Sequence, residues 1–198
     1  GTRPIGWVAR AGLEGDVMKI VVGVDGSEAS EDALRFAFGE SVALGADLVA
    51  VTVWEVPLMA TPYITPTEVD DAMGPWMDTF VVKVLGPEGA AVTKEPASGS
   101  AAAELLRVAN DADALVVGTS ERGSLAGVIM GSVSHQVANH APCPLTVVPA
   151  GSIDRNDGED GPVVVGVDGS SNAASALRWA AERAARTGVP LRVVMAWR

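Results

Sequence analysis

The chain has 198 residues, 48% of them hydrophobic, with 25 acidic against 14 basic residues and a formal net charge of −11. That length holds one full domain with a real core plus a remainder, and the hydrophobic share excludes a disordered chain. The acidic balance removes nucleic acid and anionic membranes as default partners.

Two further classes fall away. No apolar run approaches the length of a membrane span. The lone cysteine, Cys143, cannot form an internal disulfide and fits a reducing cytoplasm, so a cytoplasmic location is expected. It sits at a strand start, where a small buried residue is the plainer role than a reactive thiol.

Residues 1–17 show neither helical nor strand periodicity and lack the apolar core of a signal peptide. They are expected to be a flexible leader, with Met18 just before the first convincing strand. Ile20–Val24 is a β-branched run suited to a strand buried on both faces. It ends at Asp25-Gly26-Ser27, after which Ser27 or Ser30 can cap a helix carrying Leu34, Ala37, Phe38 and Leu44 on its apolar face. Gly45 is a natural stop, and Leu48–Trp54 a second strand. Strand, helix, strand with tight connections implies a parallel crossover.

Residues 55–66 carry three prolines and are expected to form a surface loop. Thr67 opens a helix through about Leu85, with Glu68, Asp70 and Asp71 favourable in its first turn. Ala90–Lys94 is a weak third strand. Ser100 caps a helix through Val108, and Asp113–Val117 is the fourth strand. Gly131 to His140 is the last helix and Pro144–Val148 the fifth strand. The fold class is therefore α/β, a doubly wound five-stranded parallel sheet over residues 18–149.

Residues 150–161 are polar, rich in glycine and without periodicity, as a linker is. Then the chain repeats itself. Val164–Ser170 is VVGVDGS, identical to Val21–Ser27 at an offset of 143. The register runs on without a gap: Leu34 answers Leu177, Arg35 answers Arg178, Gly45 answers Gly188 and Trp54 answers Trp197. This is a tandem duplication. Residues 162–198 hold only the β-α-β opening of the second copy, and on domain-size reasoning a full tandem would run to about 290 residues.

In an open parallel sheet, ligands sit beyond the carboxyl ends of the strands, where the strand order reverses. Asp25, Val53 and Gly118 all stand at such ends. An ionised Asp25 accepts hydrogen bonds only, which suits sugar hydroxyls, although it is equally placed to cap the following helix. Gly131-Ser132 opens a helix, and a helix N-terminus with no Cβ in the way favours anions. The same residues also make an ordinary helix start. His135 and His140 lack partners at metal spacing, so no metal site is expected. No dinucleotide fingerprint, G-x-x-x-x-G-K-[ST] loop or nucleophile elbow occurs.

The stretch from Gly118 to Ser132 resembles the signature of the universal stress protein family, G-x2-G-x9-G-[ST]. Gly118 fits the first glycine and Gly131-Ser132 the last pair; the middle position is Glu121. The resemblance covers residues 18–198. It implies a Rossmann-like domain that binds ATP or a related adenine nucleotide, with Mg2+ only as its counter-ion. It further implies contacts from Asp25 to ribose, from the end of the second strand at Val53 to adenine, and from Gly118, Gly131, Ser132, Val133 and Ser134 to phosphates. It also implies a homodimer through the last strand, here Leu145–Val148, and a stress-responsive, regulatory role with at most slow ATP hydrolysis.

The net charge opposes any nucleotide at long range, so affinity must come from local donors. Facing the phosphates, Glu121 would cost on the order of 1–3 kcal/mol, up to roughly a hundredfold in affinity; facing solvent, it would leave Arg122 and Gly123 to supply a donor and a turn. A second reading is accordingly a dimerising partner module without nucleotide. A third, an ATP pyrophosphatase-type enzyme, calls for an S-G-G-x-D-S loop that Val24-Asp25-Gly26-Ser27 resembles only loosely.

Overall fold

The structure, a computed structural model, describes residues 17–55, 66–119, 131–153 and 161–195. The leader up to residue 16, the proline-rich loop at 56–65, Glu121 with Arg122 and Gly123, most of the linker, and Trp197 lie outside the described residues. The chain divides into two compact units, one spanning Val17–Arg155 and the other holding residues 161–195.

In the first unit, β1 (Lys19–Gly23) leads through α1 (Glu28–Leu44) to β2 (Asp47–Trp54), and α2 (Pro66–Leu85) leads to β3 (Thr93–Ser98). There follow α3 (Ala101–Val108), β4 (Ala114–Thr119), α4 (Ser132–His140) and β5 (Leu145–Pro149). The strands form one parallel sheet in the order β3-β2-β1-β4-β5. From β1 the chain first winds towards β3 and then crosses to β4 on the other side. The reversal falls between β1 and β4.

Burial on both faces explains the uninterrupted apolar runs. Ile20, Val21 and Val22 of β1 and Leu115 and Val116 of β4 are fully buried. Alternate residues face opposite helical layers. Val21, Val51, Leu115 and Val117 gather with Ala102, Leu105 and Val108 of α3 and Val137 of α4. On the other side α1 packs on β1, β4 and β5, and α2 packs on β3 and α1.

Most boundaries follow the sequence pattern to within a residue or two, but the third strand does not. Residues Gly86–Ala91, which include the start of the expected strand, form a 3-10 turn, and β3 occupies Thr93–Ser98. β3 is an edge strand bonded only to β2, so it tolerates Pro96 and two charges that solvent-side partners hold. Ser100 precedes α3 without capping it through its side chain.

The second unit contains β6 (Val163–Val167), α5 (Ser171–Thr187) and β7 (Leu191–Met195). Its parallel ladder pairs Val163 with Leu191 and Gly166 with Val194. The first unit pairs Ile20 with Leu48 and Gly23 with Val51, the same register at the same offset of 143. Both helices begin at a serine cap, Ser27 or Ser170, and end at a left-handed glycine, Gly45 or Gly188.

Candidate functional site

A cleft opens at the carboxyl end of the first sheet, at the β1/β4 reversal. It encloses about 510 Å³ of empty space, part of it open solvent. Of the residues singled out in the sequence, Asp25, Val53, Gly118, Val133 and Ser134 line it. Gly131 and Ser132 do not; they stand exposed at the head of α4. The structure thus gathers five of the seven around one space.

The turn after β1 is built from local hydrogen bonds. Gly26 takes φ +84°, which a side chain would resist. Oδ1 of Asp25 accepts from the Ser27 amide at 3.0 Å and from the Ser27 hydroxyl at 2.6 Å. Ser27 Oγ in turn accepts from the Ser30 amide at 3.2 Å, capping α1. The cap is therefore Ser27, and Asp25 orients it. Partial desolvation pushes the Asp25 carboxyl up, but hydrogen bonds from the Ser27 side chain and backbone and from Ser30 outweigh it, leaving the group below its ordinary value. Asp25 is ionised at neutral pH and offers acceptors at the cleft edge.

Val53 contributes its backbone. The last rung from the β1 side is the Val24 amide donating to the Val51 carbonyl at 2.8 Å, while the Trp54 carbonyl accepts on the β3 side from Gly99 at 3.0 Å. Alternate residues of a parallel strand bond to opposite neighbours, so the peptide groups of Val53 face the β1 side beyond the point where β1 has turned away. They offer a donor and an acceptor side by side. Around them Val51, Ala101, Leu105 and Val117 supply apolar walls. Gly23 belongs to the same arrangement: a Cβ there would lie 3.1 Å from the Leu105 methyls.

Gly118 is needed for packing. A Cβ on it would collide with the Ala29 carbonyl group of α1 and lie 2.9 Å from the Ser30 nitrogen. Its own carbonyl accepts from the Ser134 hydroxyl at 3.0 Å. Among the described residues nothing lies within 4 Å of a Cβ on Gly131; it gives α4 no capping side chain, and the first intrahelical bond runs from the His135 amide to the Gly131 carbonyl at 2.9 Å. The amides of Ser132, Val133 and Ser134 precede that bond.

The model of the universal stress protein family matches residues 17–149 and 161–198. The chain belongs to the universal stress protein family. A universal stress protein of Mycobacterium tuberculosis is 28% identical over 190 residues, which cover 90% of this chain and 63% of the relative. One of Mycolicibacterium smegmatis is 33% identical over 141 residues, 66% of this chain and 45% of the relative. The chain therefore spans less than two thirds of the length of these curated relatives. Among solved structures, a universal stress protein of Archaeoglobus fulgidus DSM 4304 superposes with a TM-score of 0.69 at 19% identity, covering 91% of this chain and 67% of that one. A universal stress protein solved in complex with cAMP gives a TM-score of 0.50 at 19% identity, covering 67% and 97%. These likenesses are of fold.

Within this universal stress protein, sequence reasoning missed Ser30, Ala101 and Leu105 as cleft residues. The i, i+4 spacing of Ala101 and Leu105 was a signal, since it puts both on one face of α3. Among the described residues no group of three or more His, Cys, Asp or Glu is placed to hold a metal ion, and no helix is long and apolar enough to cross a membrane.

Proposed function

We propose that this universal stress protein binds ATP or a related adenine nucleotide in the β1/β4 cleft and acts as a stress-responsive regulator rather than a catalyst. One observation carries the reading: Val53, whose peptide groups face the β1 side, an ionised Asp25, and Val133 and Ser134 of the first turn of α4 line one apolar-walled cleft. The residues fit the ligand by chemistry. A purine edge suits the Val53 peptide, ribose hydroxyls suit a carboxylate that only accepts, and phosphates suit the amides at the start of α4. That a universal stress protein of the same fold was solved with cAMP supports the same class of ligand. Mg2+ enters only as a counter-ion to the phosphates.

The proposal extends to assembly and location. β5 ends the sheet, and its Leu145, Thr146 and Val147 are only half-buried, which suits pairing with a second copy in a homodimer through Leu145–Val148. A cytoplasmic location accords with the lone cysteine. The organisation proposed is a leader at 1–17, a universal stress domain at 18–149, a linker at 150–161 and the opening of a second repeat at 162–198.

The competing reading, a partner module without nucleotide, rests on Glu121 in the place of the signature glycine. Calorimetric titration of ATP into the wild type and Glu121→Gly decides between them. Saturable binding by the wild type supports the nucleotide reading. Binding by the Gly variant alone supports the partner module, and binding by neither overturns the nucleotide assignment.

A further inference from the structure

The hydroxyl of Ser134 has a single proton, and that proton is given to the Gly118 carbonyl at 3.0 Å across the gap between α4 and β4. The residue is buried, 4% exposed. An anion needs donors, and a serine whose proton is already committed offers only lone pairs. Ser134 thus lines the cleft without supplying a side-chain donor to it.

Its bond has a geometric consequence. Gly118 is held on its other side by α1, whose backbone at Ala29 and Ser30 leaves no room for a Cβ. Those two residues follow directly on the Asp25–Ser27 turn. The end of β4 is therefore a joint: α1, which begins just after the Asp25–Ser27 turn, presses on Gly118, and α4 is tied to the same residue by Ser134. Gly131 gives α4 no side-chain cap, so this bond is the side-chain tether that the described residues provide for its first turn.

Resting on the nucleotide reading, we propose that Ser134 is a positioning residue, fixing the first turn of α4 against Gly118 so that its amides, not the serine hydroxyl, meet the phosphates. A nucleoside without phosphates then owes Ser134 nothing, and a nucleotide owes it much of its phosphate affinity.

The test uses the full chain as wild type, Ser134→Ala and Ser134→Thr, with ATP and adenosine titrated calorimetrically and amide exchange followed over Ser132–Gln136 in the free protein. Ser134→Ala should lose roughly tenfold in ATP affinity while adenosine changes less than about twofold. Exchange over the first turn of α4 should quicken in the same variant, and Ser134→Thr should recover both. A loss of ATP affinity with unaltered exchange means direct donation by the hydroxyl and overturns the proposal. Equal losses for ATP and adenosine, or no loss of either, overturn it as well, as does failure of the Thr variant to recover either readout. A wild type that binds neither ligand overturns the nucleotide reading itself and the positioning role with it, an outcome distinct from intact ATP binding by Ser134→Ala.

Discussion

The carboxylate of Asp32, 1% exposed within α1, accepts a 2.7 Å hydrogen bond from the amide of Gly151, which lies 119 positions further along the chain. Gly151 has φ +73° in the turn that follows β5, and α1 packs directly on β5. The other oxygen of Asp32 accepts from Arg35 at 3.0 Å. One buried carboxylate thus fastens the exit of the first unit to the helix that opens it. In the second repeat Ser175 takes the place of Asp32 and accepts from Arg178, the counterpart of Arg35, at 3.1 Å.

Asp32→Ala leaves the Gly151 amide and the Arg35 guanidinium without this acceptor. Hydrogen bonds to charged groups contribute about 1.5–3 kcal/mol, so the variant should lose about that much stability. Urea denaturation followed by far-ultraviolet circular dichroism measures it. A loss below about 0.5 kcal/mol, the range of an ordinary surface substitution, would discount the fastening role.

The two signature glycines should answer substitution differently. A methyl on Gly118 meets the α1 backbone, which cannot move aside as a flexible side chain does. Gly118→Ala should destabilise by about 1–3 kcal/mol, the usual cost of overpacking. Among the described residues nothing lies within 4 Å of a Cβ on Gly131, whose φ is −61°, so Gly131→Ala should cost no more than about 1 kcal/mol as a helix-cap change. Thermal melts of both variants check the contrast. Equal shifts in midpoint would mean that the backbone yields at Gly118.

These glycines also show what the sequence could disclose. Their spacing marked the β4–α4 loop, but the reason for Gly118 lies in a tertiary approach of α1 that no spacing encodes. The duplicated β-α-β unit was legible in detail because each signal is local: a β-branched run, a serine cap, a left-handed glycine. β3 was misplaced because an edge strand need not be apolar. Its Lys94 pairs with Asp78 at 3.1 Å and its Glu95 with Arg107 at 3.1 Å, contacts that periodicity does not announce. Ser30 and Leu105 join the cleft only through packing between elements distant in sequence, and Ser134 gained its Gly118 bond in the same way.

The repeat allows one structural device to be weighed in two settings. Ser27 and Ser170 cap α1 and α5 through matching bonds, to the Ser30 amide at 3.2 Å and the Ala173 amide at 3.1 Å. Losing such a cap costs about 1 kcal/mol. Both serines also serve the preceding aspartate through amide and side chain, Ser27 with Asp25 and Ser170 with Asp168, but it is Asp25 that lines the described cleft. Ser27→Ala should therefore weaken ATP binding and lower stability, and Ser170→Ala should leave ATP binding as in the wild type. Calorimetry on the two variants separates them; equal effects on ATP would show that the Asp25 turn does not depend on its serine.

Acid titration gives Asp25 a signature of its own. Its folded-state pKa is depressed: desolvation raises it, but the Ser27 and Ser30 hydrogen bonds prevail. In the unfolded chain the group titrates near about 3.9. Above that value the carboxylate is ionised in both states and its contribution to stability is fully present. As the pH falls further, the unfolded chain takes up the proton first, and the contribution fades until the pH has passed through the folded pKa. Asp25→Asn removes this dependence. The stability difference between wild type and variant should stay level from pH 7 to about pH 5 and then shrink towards pH 3. Denaturation at pH 7, 5, 4 and 3 follows the gap, and because Asp25 is exposed the effect should diminish in high salt. A gap that widens on acidification would reverse the sign of the linkage and remove Asp25 as the ionised partner of the Ser27 turn.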